Sequence, residues 1–177
     1  MTVLLLALLA SGASLAHGPT HGALPPAKPL PAAPPLAPAT REAADDALAA
    51  YERVRVALVS DSLDGVAEAA REIGVRARMA KASAPPSLQA TLEGLAREAD
   101  ALARATDLGA ARTAFGETSR KVVELGAAAP ELTEGRYVYV CPMRQPYGKW
   151  VQTSLTLENP YMGSSMPGCG ARSPWTP

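Results

Sequence analysis

Soft sulfur donors crowd into the last quarter of the chain. The stretch Tyr137 to Gly170, YVYVCPMRQPYGKWVQTSLTLENPYMGSSMPGCG, holds both cysteines, Cys141 and Cys169. It also holds Met143, Met162 and Met166, three of the four methionines left once the initiator is set aside. Thiolates and thioethers select Cu(I) over harder ions. Residues two apart on an extended segment face the same side, so Cys141 and Met143 can point together. Met166 and Cys169, three apart, can converge in a turn. Two cysteines with two methionines complete a copper(I) or silver(I) site, with Met162 as a further thioether. Trp150 could cover such a site through a cation–π contact of about 0.5–2 kcal/mol, with Tyr161 as a second supporting ring. Zinc is disfavoured, because structural zinc sites take four Cys or His ligands.

The same two cysteines also read as a disulfide. In an oxidising compartment two cysteines pair. A Cys141–Cys169 bridge would close a loop of about 28 residues and contribute roughly 3 kcal/mol in the chain-entropy model. It would leave only thioethers for a metal. Both readings stay open on the sequence.

Enzymatic chemistry finds little footing. The two histidines are His17 and His21, so a Ser-His-Asp set has no histidine in the body of the chain. No Gly-rich phosphate loop is present. Cys141 has no base beside it in sequence, and Cys141-Pro142-Met143 is not a Cys-x-x-Cys redox pair. The chain reads as non-enzymatic. Lysine plus arginine number 17 and aspartate plus glutamate 17, so the formal net charge is zero. That balance argues against nucleic acid, whose backbone calls for a basic excess, and it equally fails to suggest an anionic membrane surface.

Several segments set these residues in place. Residues 1–16, MTVLLLALLASGASLA, read as a signal peptide, with Ser14 and Ala16 as the small residues before a cut. The apolar run is too short to span a bilayer, so a periplasmic or secreted protein with no membrane span after cleavage is expected. A cut after Ala16 exposes His17 at a new N-terminus with His21 four residues on, a possible Cu(II) chelate of amine and imidazole. Residues 17–40 form a Pro/Ala-rich linker, with eight of the 17 prolines between residues 19 and 39. Such a segment favours polyproline II and has no core of its own.

Removing leader and linker leaves about 135 residues, enough for one compact core. Residues 41–126 carry four helical patterns. Thr40 is the expected N-cap of the first, whose apolar face is Ala47, Tyr51, Val54 and Leu58. Ser60-Asp61-Ser62 restarts the chain into a helix presenting Leu63, Val66, Ala67, Ala70, Ile73 and Ala77. Pro85-Pro86 ends it. The third helix starts near Ser87 and repeats Leu88, Leu92, Leu95, Ala99 and Leu102. Thr106-Asp107 caps the fourth, with Leu108, Ala111, Phe115, Thr118, Val122 and Leu125, and Gly126 as its C′ residue. Charges such as Arg53, Arg55, Glu68, Arg71, Glu72, Arg76 and Arg78 read as a solvated face. Met79 reads as packing. The expectation is a mainly α protein, an antiparallel four-helix bundle with a small C-terminal β-hairpin and loop appendage over residues 127–177. Its strands are expected at Arg136–Val140 and Trp150–Leu157.

The tail motif is specific enough to carry a resemblance. A strand running into Cys141-Pro142-Met143, then Trp150, then Asn159-Pro160-Tyr161-Met162-Gly163 through Met166, Cys169 and Gly170, lies behind an Ala-rich helical body with Ala50-Tyr51 and Ala57-Leu58. Over residues 43–170 this resembles a domain family of unknown function. That family occurs in secreted bacterial proteins and at the C-terminal ends of CusB-type heavy-metal efflux adaptors. The resemblance implies an association with copper or silver handling and a CusB-type efflux adaptor as partner. Two departures stand out. Short heavy-metal motifs that begin Cys-Pro-Met often continue His-Pro, whereas Arg144-Gln145 follows here. Position 162 is usually aromatic in the family, so Met162 is either an added thioether or a packing replacement.

Overall fold

The computed structural model describes residues 35–177. The signal-peptide reading, most of the linker, and His17 and His21 lie outside these residues.

Helix α1 spans Pro38–Val59. It begins before Thr40, because Pro38 sits in the first turn, where its fixed φ suits the helix and its missing N–H is not needed. Thr40 is therefore not a cap. It is buried in that first turn, with its hydroxyl 2.9 Å from that of Ser83. Helix α2 spans Val66–Ser83, entered through Gly65 at φ 72°, a left-handed value that glycine takes without strain. Helix α3 spans Pro86–Leu102, again with proline in its first turn, and α4 spans Leu108–Ala128. Asp107 caps α4 as the sequence predicts, accepting from the Ala110 amide at 2.8 Å. Gly126 differs from expectation: it lies inside α4. The ring of Trp175 lies where a Cβ at 126 would project, so its missing side chain serves a tertiary contact and not a helix stop.

Most residues of the expected apolar faces are buried, while Leu63, Ala67 and Leu108 are only half-buried. Tyr51, Val54 and Leu58 of α1, Ile73 and Ala77 of α2, Leu92, Leu95 and Leu102 of α3, and Phe115, Val122 and Leu125 of α4 are all buried. Each helix packs on the next in chain order. Small residues such as Ala50, Ala70, Ala77 and Ala80 are buried in the interior.

A short 3-10 turn, Pro130–Leu132, leads into the tail. Strand β1 is Tyr137–Val140, β2 is Lys149–Gln152 and β3 is Ala171–Ser173. They form a three-stranded antiparallel sheet in the order β2-β1-β3, in place of the expected hairpin. Tyr139 pairs with Trp150 on one side and Arg172 on the other. The second strand stops at Gln152 and not at Leu157. Buried Gln152 donates to the carbonyls of Ser154 (2.8 Å) and Thr156 (2.6 Å), which turns the chain off the ladder.

An aromatic column joins helices to sheet. Tyr51 stacks on Phe115 (centroids 5.0 Å, 16°), Phe115 meets Tyr161 edge-on (5.7 Å), Tyr161 meets Trp150 edge-on (6.0 Å), and Trp150 stacks on Tyr139 (5.7 Å). The Tyr51 hydroxyl lies 2.7 Å from that of Ser119 on α4 and accepts from the Val151 amide at 3.2 Å. β2 is an edge strand, so this hydroxyl satisfies an N–H that the sheet leaves unpaired.

Arg55 corrects the expectation of a solvated charged face. It is only 2% exposed and lies under the tail, donating to both carboxylate oxygens of Glu52 (2.9 and 2.8 Å) and to the backbone and side chain of Glu158. Burial alone would lower its pKa, but the two paired carboxylates raise it, so the guanidinium stays charged.

Replacing Tyr51 with Phe keeps the ring stack and strands the Val151 amide. Tyr51→Phe is expected to cost about 1–3 kcal/mol in urea unfolding with an unchanged m value.

Candidate soft-metal site

Two turns bring the thiols together. Cys141 follows β1 directly. Its amide donates to the Gly148 carbonyl at 2.9 Å, and its carbonyl accepts from the Arg144 amide at 3.3 Å. A side chain at Gly148 would strike that Cys141 carbonyl, so glycine permits the close return of the chain. Cys141 is 1% exposed.

Cys169 is placed by Asn159. The buried Asn159 side chain accepts from the amides of Tyr161 (2.8 Å) and Met162 (3.2 Å) and donates to the Cys169 carbonyl at 2.6 Å. Its own amide donates to the Pro167 carbonyl at 2.8 Å. Gly170 follows at φ 148°, and a Cβ there would lie 2.9 Å from the Val140 carbonyl oxygen and 3.0 Å from the Trp150 ring. The chain then enters β3, where Ala171 pairs with Val140. Cys169 is thereby delivered to the end of β1, beside Cys141.

Three sulfurs meet there. The Cys169 thiol points to the Met143 thioether, Sγ to Sδ 3.8 Å. Both cysteines are free. Burial raises the Cys169 pKa above its ordinary value, and the neighbouring Cys141 raises it further. The inner donor, Cys141, is enclosed, while Met143 is 60% exposed and Cys169 half-buried. Met166 is 39% exposed, on the turn whose carbonyl accepts from the Cys169 amide at 3.2 Å. Met162 packs against the hydrophobic core. Among the described residues no group of three or more His, Cys, Asp or Glu side chains could hold a metal, so the donors at this place are two thiols and methionine sulfur. Two thiols and a thioether are a donor set suited to a soft monovalent ion.

The two supporting aromatics are structural in position. Trp150 is fully buried, donates to Gln152 Oε1 at 2.9 Å and has its ring edge at Gly170, one residue from Cys169. Tyr161 donates to the Lys149 carbonyl at 2.6 Å. Burial holds its hydroxyl well above the ordinary phenol range. Arg144, which stands where histidine often follows Cys-Pro-Met, lies 5.6 Å over the Tyr161 ring and donates to the Thr113 hydroxyl at 3.0 Å. Sequence reasoning missed the roles of Asn159, Gln152 and Arg55. The Asn159-Pro160 turn was the available signal for the first of them.

A second clamp fixes the loop between Asn159 and Cys169. Arg112 of α4 donates to the carbonyls of Leu58 (3.0 Å) and Pro160 (2.9 Å) and pairs with Asp61. Asp61 also accepts from the amide (3.0 Å) and hydroxyl of Ser164, on the 3-10 turn Gly163–Ser165. Gly163 has φ 55°, and a side chain there would collide with Asp61.

No family model, curated protein or solved structure matches this chain. Among the described residues no helix is long and apolar enough to cross a membrane.

Two outcomes test how the site is held. Asn159→Ala leaves the Cys169 carbonyl and two amides without their partner. It is expected to lower stability by about 1–3 kcal/mol and to speed alkylation of Cys169 by iodoacetamide. The Ser164 hydroxyl, then the Arg112 guanidinium, hold the Asp61 carboxyl down at about 2. Its folded pKa is depressed, so its contribution is complete above the unfolded value near 4 and is lost as pH falls toward 2. The gap in Tm between wild type and Asp61→Asn should therefore shrink between pH 5 and pH 2. A gap independent of pH would remove this role.

Proposed function

We propose that this chain is a non-enzymatic, secreted or periplasmic accessory protein that binds copper(I) or silver(I) in support of export or buffering. The observation that carries the reading is the meeting of Cys141, Cys169 and Met143, with the Cys169 and Met143 sulfurs 3.8 Å apart although 26 residues separate them. An antiparallel four-helix bundle serves as the mount, and the tail packed on α4 is the site. Cys141, Cys169 and Met143 are the principal ligands and Met166, on the turn before Cys169, is a reserve, while Met162 packs. Metal binding would displace thiol protons, so affinity falls with falling pH. The resemblance of the tail to the domain found with CusB-type adaptors supports an efflux adaptor as partner.

A second reading rests on the same adjacency. Cys141 and Cys169, as neighbours, can be oxidised to a disulfide, giving a stapled interaction module with no metal. Native mass spectrometry of protein from copper-fed cells separates the two. One copper per chain, lost on alkylation of the cysteines, is the expected result. A metal-free mass short by two hydrogens establishes the staple. In Cu(I) competition titrations, Cys141→Ser and Cys169→Ser should each weaken binding at least about tenfold, or ~1.4 kcal/mol. Met143→Leu should weaken it more than Met162→Leu.

A further inference from the structure

A groove of about 350 Å³ opens next to the sulfur cluster, lined by Arg120, Cys141, Arg144, Tyr147, Lys149 and Pro177 among others, with no acidic side chain in its lining. Its cations are unequally matched. Arg120 lies 4.5 Å over the Tyr147 ring and pairs with Glu117 at 3.2 Å. Arg144 is held by the neutral Thr113 hydroxyl at 3.0 Å and Lys149 by Thr176, with the hydroxyl at 3.1 Å. Among the described residues neither has a carboxylate partner. The other nearby acid on α4, Glu124, is paired with Lys121 at 2.7 Å. In a chain of zero net charge, two unmatched cations beside a buried thiol are a local excess that favours anions and raises their encounter rate.

Cu(I) does not persist as a free aqueous ion and travels bound to soft ligands. Building on the metal-binding reading above, we propose that this groove docks an anionic thiolate complex of Cu(I), a small thiol bearing carboxylates, which passes the ion by ligand exchange to the adjacent sulfur cluster, entering at the half-buried Cys169 with the enclosed Cys141 as inner donor. The Cu–S bond to the donor breaks as the bond to the Cys169 sulfur forms. The Cys169 proton goes to the departing thiolate. Copper stays monovalent and no electron moves. The carboxylates of the donor take the positions opposite Arg144 and Lys149.

The test is anaerobic quenched-flow uptake, read by native mass spectrometry, from two donors of like sulfur chemistry and opposite charge: Cu(I)–glutathione, anionic, and Cu(I)–cysteamine, cationic. The full chain should load faster from the anionic donor at low salt, and rising salt should erase that preference. Arg144→Gln with Lys149→Gln should lower the anionic-to-cationic rate ratio about tenfold. The two single variants should give intermediate ratios, and the salt series on the unmodified chain needs no variant. A ratio indifferent to both salt and substitution overturns the proposal, as does faster loading from the cationic donor. Loading from neither donor by the unmodified chain overturns the metal-site reading, and this inference falls with it.

Discussion

The Tyr51 hydroxyl is the contact on which the placement of the tail depends. It sits on the first helix, reaches Ser119 on the fourth, and takes the Val151 amide from the free edge of β2. One buried oxygen thus joins three elements that are far apart in sequence. Burial raises the Tyr51 pKa well beyond the ordinary phenol range, so it acts as a neutral hydrogen-bonding group. Its ring begins the aromatic column through Phe115, Tyr161, Trp150 and Tyr139. Each such pair contributes about 0.5–1.5 kcal/mol beyond its area burial. A tail poor in aliphatic residues is therefore held by rings inserted against the helices.

Polar side chains complete what the rings begin. Asn159, Gln152, Arg55 and Arg112 each bond backbone carbonyls or amides of a segment with little regular structure. Irregular backbone that approaches a core must have its polar groups satisfied by something other than a ladder. Here side chains supply the partners, from the tail itself and from α1 and α4. The sulfur cluster sits at the end of that scaffold, where the β1 exit and the turn before β3 converge.

The cluster itself is graded from inside to outside. Cys141 is enclosed, Cys169 intermediate and Met143 open to solvent. The unmatched charges of Arg144 and Lys149 lie on the neighbouring groove, beside the sulfur cluster and not within it.

The helices were legible in the sequence because their apolar residues recur at three and four and proline or Asp107 marks their ends. The sulfur stretch was legible because Cys and Met are rare elsewhere in the chain. Periodicity could not reveal that Gly126 receives Trp175, that Arg55 is buried under Glu158, or that Ala171–Ser173 adds a third strand to the other edge of β1. Each of these is a contact between residues that local pattern treats as independent. The sequence alone determined the four amphipathic faces and the gathering of cysteine and methionine into one stretch, since both follow from residue type and spacing. Only the tertiary structure decided that Cys141, Cys169 and Met143 meet while Met162 turns to the core. The reason is that Asn159 and Gly170 set the path of the chain into β3, and that path is fixed by contacts with β1 and the helices.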